Sequence, residues 1–240
     1  MKTGDIAQSN FENCLAHNPY PGRGLVIAKS NDADWLILYW IMGRSVSSRN
    51  RRFLAEGGIL RTEPIDPSLI VDPSLIIYEA MLELPGIYLV SNGDQTRTMY
   101  ETMQGGGTIE DALGKREREP DAPNFTPRIS GALSFKGREA SVVLSMLKAN
   151  PLDPAYTDRF FYRPSMPKAG FGVGVTTYSG DGNPLPSFAG EPLLLPCNGS
   201  AEEVLDRYWN ALNTDNRVAM AAKEISEHGS RSTLFVRNRL

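Results

Sequence analysis

The sequence predicts an α+β fold in which antiparallel sheets are faced by helices. Two observations carry this reading. Apolar, strand-like runs come in succession, so the order is many strands, two helices, more strands, two helices. The regular β-α-β-α alternation of a doubly wound parallel sheet is absent. Short polar turns such as Ser30-Asn31-Asp32 and Lys136-Gly137 join neighbouring runs, as antiparallel pairing needs.

In chain order, Leu25 to Ala28 and Trp35 to Ile41 are branched and aromatic runs that read as strands. Pro67 and Pro73 punctuate the runs Leu69 to Val71 and Leu75 to Tyr78. Ile87 to Val90 is a further strand, closed by the turn signal Ser91-Asn92-Gly93-Asp94. The period then lengthens. Asp94 to Met103 suits a helix, and Thr108 to Gly114 has a capping threonine with acids in its first turn. Gly105-Gly106-Gly107 between them is a break, since no Gly-Lys-Ser/Thr follows to make a phosphate loop. Two strands fit Arg128 to Phe135 and Ala140 to Leu147, and two more fit Arg159 to Tyr162 and the glycine-containing Gly172 to Thr177. Residues 179–196 hold four prolines and three glycines and read as a long ordered loop. Ser200 with Glu203 makes a capping box for a helix reaching about Leu212. A second helix is expected over Val218 to Glu227, and a closing strand over Thr233 to Val236.

Bulk numbers narrow the function. With 240 residues, 41% hydrophobic and 22% charged, the chain has the composition of an ordinary globular protein. We expect one domain over residues 1–240, with 1–17 an N-terminal extension of open role. A net charge of −3 argues against a general nucleic-acid binder. The N-terminus lacks an apolar segment of the secretory type, and the longest apolar run is too short to span a bilayer. A cytoplasmic protein is expected. Cys14 and Cys197 lack CxxC spacing and, with His17 and His228, leave little material for a metal site. Both cysteines read best as small hydrophobic residues. Motifs of the GxSxG, HExxH and GxGxxG types are absent.

Four stretches remain as candidates for chemistry. Arg23, Arg44, Arg49, Arg51 and Arg52 crowd into residues 18–52 of a mildly acidic chain. Guanidinium forks beside Ser45 and Asn50 at a strand exit make a usable anion cradle; the same run also reads as a solvated basic loop. Ser91 to Thr96 reads as a turn that caps a helix, and a helix start beside arginines also favours a phosphate. Residues 118–129 read either as a charged linker or as a rigid loop. Pro120, Pro123 and Pro127 stiffen it, and it presents Glu119, Asp121 and Asn124. Tyr78-Glu79 ends an apolar run and alone says little.

Taken in order, these pieces resemble the archaeal-type inosine monophosphate (IMP) cyclohydrolases and their bacterial relatives. The matching residues are Asn18-Pro19-Tyr20-Pro21-Gly22-Arg23-Gly24, Tyr39 to Ser45, Ser48 to Arg51, Tyr78-Glu79, Ser91-Asn92-Gly93, Glu119 to Asn124 and Thr126 to Ile129. The resemblance is close over residues 18–180 and looser beyond. It implies the four-layer α-β-β-α sandwich of the N-terminal-nucleophile hydrolases. It also implies dehydrative closure of 5-formamidoimidazole-4-carboxamide ribonucleotide to IMP in purine biosynthesis, with no metal and no organic cofactor. The implied partner is a small purine nucleotide; a homo-oligomer stays open. Arg51, Arg44 and Arg23 are then candidates for the 5′-phosphate and for carbonyl polarisation. Tyr78 would donate to the formyl oxygen or help expel it as water. Glu119 would act as general base or orient the carboxamide, and Asn92 and Asn124 would hold the heterocycle or ribose. Ser45, Arg49, Asn50, Gly93, Asp121 and Arg128 are further candidate substrate contacts. One departure is Arg118, where the family often has an aromatic residue. Two other readings compete: an amidohydrolase of the same fold with a processed Cys14 or Ser nucleophile, and a non-catalytic nucleotide binder.

Overall fold

Two apolar strands set the architecture. β1 (Gly24–Lys29) and β2 (Trp35–Met42) are buried along nearly their whole length. A strand reads as one continuous apolar run when both of its faces are covered. Leu25, Ile27, Ile37, Tyr39 and Ile41 point to one core. Val26, Ala28, Leu36, Leu38 and Trp40 point to another. The computed structural model that shows this describes residues 2–240 apart from 32, 33, 70–72, 74, 75 and 166.

The fold is mixed α+β with two large antiparallel sheets and few helices. In the six-stranded sheet β1 and β2 lie beside β10 (Phe171–Thr176), β11 (Leu193–Pro196), β12 (Arg217–Ile225) and β13 (Ser232–Asn238), in the order β11-β10-β1-β2-β12-β13. The seven-stranded sheet runs in sequence order from β3 to β9. Its strands are β3 (Arg52–Glu56), β4 (Ile59–Glu63), β5 (Glu79–Leu84), β6 (Ile87–Ser91), β7 (Arg128–Lys136), β8 (Glu139–Ala149) and β9 (Thr157–Tyr162). The inner faces share one core, in which Leu25, Ile37 and Tyr39 meet Val90, Ile129, Leu133 and Leu144.

Helices cover the outer faces. α1 (Thr3–Phe11), a π-helical turn at Glu12–Ala16 and α5 (Ala201–Ala211) pack on the six-stranded sheet. Residues 1–17, of open role in the sequence, thus supply Phe11 and Leu15 to a core. α5 starts at the expected Ser200–Glu203 box and buries Ala201, Val204, Leu205 and Tyr208, one helical stripe. α3 (Gln95–Gln104) and α4 (Ile109–Leu113) cover the seven-stranded sheet through Met99, Ile109 and Leu113. A single turn, α2 (Val46–Arg49), sits in the arginine run.

Several expectations need correction. Residues 218–227 do not form a helix: β12 pairs with both β2 and β13. Val218, Ala219, Ala221 and Ile225 enter the inter-sheet core, while Met220 and Ala222 face the helices. Tertiary pairing overrides the helical leaning of an alanine-rich stretch. The hairpin β3–β4, turning at Gly57 with φ +59°, carried no strong sequence signal. β11 lies inside the expected 179–196 loop. Of the Leu69–Val71 and Leu75–Tyr78 runs, residues 70, 71 and 75 lie outside the described residues; Leu69 ends a short 3-10 turn, and β5 starts only at Glu79.

Gly24 faces Trp40 in the β1–β2 register, and a Cβ there would lie 2.0 Å from the indole. Alanine ordinarily gains about 0.5–1 kcal/mol over glycine in a strand. Overpacking of this kind costs about 1–3 kcal/mol, so the clash wins. Gly24→Ala is expected to lower the urea-unfolding free energy by about 1 kcal/mol or more; unchanged stability contradicts this packing.

Candidate active site

A cleft of about 310 Å³ opens where β1 begins and β2 ends, between the arginine run, the proline-stiffened loop and the segment after β10. The loop leading into β1 is tightly held. The Asn18 side-chain amide donates to the carbonyls of Cys14 (3.1 Å) and Ser179 (3.0 Å), and its oxygen accepts the Tyr20 N–H at 3.0 Å. Gly22 sits at φ +72°, and a Cβ there would lie 2.2 Å from the Thr177 hydroxyl. Only glycine fits that approach.

This loop aims Arg23. Its guanidinium donates to both Glu119 oxygens, at 2.7 and 2.9 Å, and to the Asn92 carbonyl at 2.9 Å. Glu119 is 2% exposed. Burial pushes its carboxyl up from the usual range, and Arg23 pulls it part of the way back. Burial also works against the Arg23 charge, but Glu119, with Tyr78 and Tyr39, more than offsets it, so the guanidinium stays protonated. The pair is a bidentate fork in a dry setting. Both carboxylate oxygens are occupied by Arg23, and Glu119 does not line the cleft.

The arginine run supplies the opposite wall. Ser45 caps α2 by accepting the Ser48 N–H at 3.1 Å. Arg44 lies 5.0 Å above the Tyr20 ring and is paired with Asp181. Arg51 is only 5% exposed. It donates to the Ser48 carbonyl (2.9 Å) and the Met42 carbonyl (3.2 Å). Among the described residues no carboxylate lies within ion-pair distance of Arg51. A buried, unneutralised guanidinium in a cleft wall is a strong attractor for an anion.

The structure therefore brings Arg23, Arg44, Ser45, Arg51, Asp121 and Asn124 to one cleft. It places the other candidates elsewhere. Asn92 is spent on the Pro127 carbonyl, the Ile129 N–H and Gln95. Arg128 ties Asp94 and Gln95 at the start of α3, and Gly93 is closed in by Gln95 and Arg128. Asn50 uses both ends of its amide on the Asp66 backbone. Arg49 is exposed and bonds the Gly43 carbonyl and Asn216. Tyr78 lines a neighbouring cleft with Glu79, Asp94 and Arg97. Its hydroxyl is 2.7 Å from that of Tyr39, whose phenol is pushed well up by burial.

Three cleft residues escaped the sequence reading. Tyr20 and Tyr178 stack with ring centroids 5.9 Å apart, and the Tyr178 hydroxyl lies 2.5 Å from that of Thr126. Tyr20 and Thr126 sit inside the quoted motifs, whereas nothing local marks Tyr178. Cys14 lies on the π-helical turn and Cys197 is buried beside Tyr208, its thiol pushed up to about 12 by burial. Neither lines the cleft. Among the described residues, no group of three or more His, Cys, Asp or Glu side chains is spaced to hold a metal ion.

A family model described as IMP cyclohydrolase-like protein matches residues 20–229. The chain is 33% identical over 130 residues to an IMP cyclohydrolase of the archaeon Methanothrix thermoacetophila. That match covers 50% of this chain and 60% of the relative's length.

Because Arg51 has no carboxylate partner among the described residues, inorganic phosphate is expected to raise the melting temperature of the wild-type protein. Stabilisation by a ligand bound to the native state alone reaches about 2.7 kcal/mol at a hundredfold excess over Kd. Arg51→Met should lose most of the phosphate-dependent shift in a thermal melt. An equal shift in both proteins contradicts an anion site at Arg51.

Proposed function

Since the chain belongs to the IMP cyclohydrolase-like family, we propose that it converts 5-formamidoimidazole-4-carboxamide ribonucleotide to IMP and water. The carboxamide nitrogen attacks the formyl carbon of the same molecule, and the formyl oxygen leaves as water. A protein can assist by holding the two groups in attack geometry, by offering donors to the developing oxyanion and by moving protons. The single observation that carries the reading is the coexistence, in one cleft of the family match, of a clamped Arg23 and a buried Arg51 that has no carboxylate partner among the described residues.

In this proposal Arg51, with Arg44 and Ser45, receives the 5′-phosphate. Arg23 polarises the formyl carbonyl. Glu119 is a positioning residue: its fork keeps Arg23 charged and aimed. Asn124 faces the ribose or heterocycle. Tyr78, linked to Tyr39 within the field of Arg23, offers a hydrogen bond to the departing oxygen from the neighbouring cleft and transfers no proton. Asn92 and Arg128 act through Arg23 and the start of α3.

We further read the fold as the four-layer sandwich of N-terminal-nucleophile hydrolases, formed as one domain over residues 1–240. The three stacked cores support this: helices on a six-stranded sheet, sheet on sheet, and helices on a seven-stranded sheet. No helix among the described residues is long and apolar enough to cross a membrane. A cytoplasmic site of action fits a nucleotide substrate.

The test is direct: supply the formamido nucleotide and follow IMP by absorbance. A rate no higher than the uncatalysed background overturns the proposal. Given turnover, Arg51→Ala should mainly raise KM, and Glu119→Gln should mainly lower kcat. The pH profile adds a check. Protonating Glu119 loosens the hold on Arg23, and burial lifts its carboxyl above the ordinary value of about 4.3. Activity should therefore fall as pH drops through a value above that range, and Glu119→Gln should lack this limb.

A further inference from the structure

With Glu119 turned toward Arg23, another group must take the proton from the attacking nitrogen. Asp121, Thr126 and Tyr178 all line the cleft and form one hydrogen-bonded chain. Asp121 Oδ1 accepts the Thr126 N–H at 2.7 Å, and Oδ2 accepts the Thr126 hydroxyl. The Thr126 proton is thereby committed to Asp121. A hydroxyl has one proton to give, so in its 2.5 Å contact with Tyr178, Thr126 Oγ1 accepts. The Tyr178 proton is then committed as well. What Tyr178 presents to the cleft is an oxygen lone pair, an acceptor for an N–H of the bound molecule.

The ring cannot easily turn away. Tyr178 is 5% exposed and stacks on Tyr20. Its backbone N–H donates to the Pro21 carbonyl at 3.2 Å. Its ring also closes over Gly22, where a Cβ would come within 2.5 Å of Tyr178 Cδ2. Two glycine-loop features, the positive φ of Gly22 and its missing side chain, thus serve to seat this phenol.

We propose that Tyr178, Thr126 and Asp121 form the relay that removes the proton from the attacking carboxamide nitrogen, with Tyr178 the group that touches substrate. The proposal rests on the cyclohydrolase reading. In the addition step the N–C bond forms and the formyl C=O pair moves onto oxygen, beside Arg23. The nitrogen's proton passes to Tyr178 Oη as the Tyr178 proton passes to Thr126 Oγ1 and the Thr126 proton to Asp121 Oδ2. Run backwards, the same chain returns that proton to the formyl oxygen and gives a hydroxyl. The hydroxyl departs as water with the proton of the formamido nitrogen as the C=N bond forms. Burial pushes the Tyr178 phenol well up, which suits a group that hands a proton on without dwelling as phenolate.

Tyr178→Phe and Thr126→Val, assayed with the formamido nucleotide, test the relay. Each breaks the chain, and each should lower kcat by roughly 10²–10³-fold with little change in KM. Thr126→Ser keeps the hydroxyl and should restore most of the rate; loss equal to that of Thr126→Val overturns the relay, since the methyl group alone would then matter. If Thr126→Val does not fold, Asp121→Asn reads the same step, because an amide oxygen in that place is a far weaker proton acceptor. Wild-type turnover retained by Tyr178→Phe or Asp121→Asn overturns the relay and leaves the cyclohydrolase reading standing. A wild-type protein with no turnover above background overturns that reading and the relay with it.

Discussion

The fork between Arg23 and Glu119 is the constraint on which the site depends. Arg23 stands one residue before β1 of the six-stranded sheet, and Glu119 lies in the loop that enters β7 of the seven-stranded sheet. The fork therefore joins the two sheets at the cleft end of the sandwich. A second pair, with Lys223 buried and Glu83 part-exposed, does the same toward the other end of β2. The Lys223 ammonium, on β12, reaches Glu83 and the Gly58 carbonyl, both at 2.6 Å. Burial lowers the affinity of Lys223 for its proton, and Glu83 partly restores it. Pairs with a buried charge are poor sources of net stability, because desolvation consumes much of the attraction. Their use here is geometric: they allow few ways of stacking one sheet on the other.

That geometry sorts the arginines by what they still have free. Arg23 is neutralised by Glu119, and Arg44 meets Asp181 at the more exposed rim. Arg51, closed in by the Met42 and Ser48 carbonyls, has no such partner among the described residues. Positive charge is thus balanced where the reacting groups would sit and unbalanced where a phosphate would sit. On the proposed reading, a dianionic phosphate would be drawn to the uncompensated end, and its attachment would fix the position of the rest of the nucleotide. Affinity and chemistry can then be borne by different side chains.

Much of this was legible in the sequence, for identifiable reasons. β1 and β2 announce themselves by unbroken apolar runs, β7 and β8 by largely apolar runs on either side of the Lys136-Gly137 turn, α4 by its capping threonine and α5 by its capping box. β12 did not, because alanines on both faces of a strand resemble a helix until the partners β2 and β13 are known. At the site, Arg23, Arg44 and Arg51 stood out by local charge density. Asn92 and Arg128 sat in equally conspicuous motifs, yet their side chains are consumed by backbone and α3 contacts. Local pattern identifies which segments meet; it does not say which way each side chain turns. Tyr178 shows the converse. Its importance comes from Gly22 and Thr126, 156 and 52 positions away in the chain, and no window of sequence contains all three.

This dispersal has a kinetic meaning. The fork alone spans 96 residues, and the loop before β1 is also fastened to Thr177 and Ser179 beyond β10. Closing such long loops is entropically expensive and slows folding of sheet proteins relative to helical ones. Neither sheet alone contains a complete cleft. A chain emerging from the ribosome would hold its first arginines long before it held Glu119 or Tyr178, and so could not grip a nucleotide part-way. On the proposed reading, a nucleotide would have nothing to bind in a half-folded chain, and its stabilisation would fall on the rate at which the finished protein comes apart rather than on the rate at which it forms.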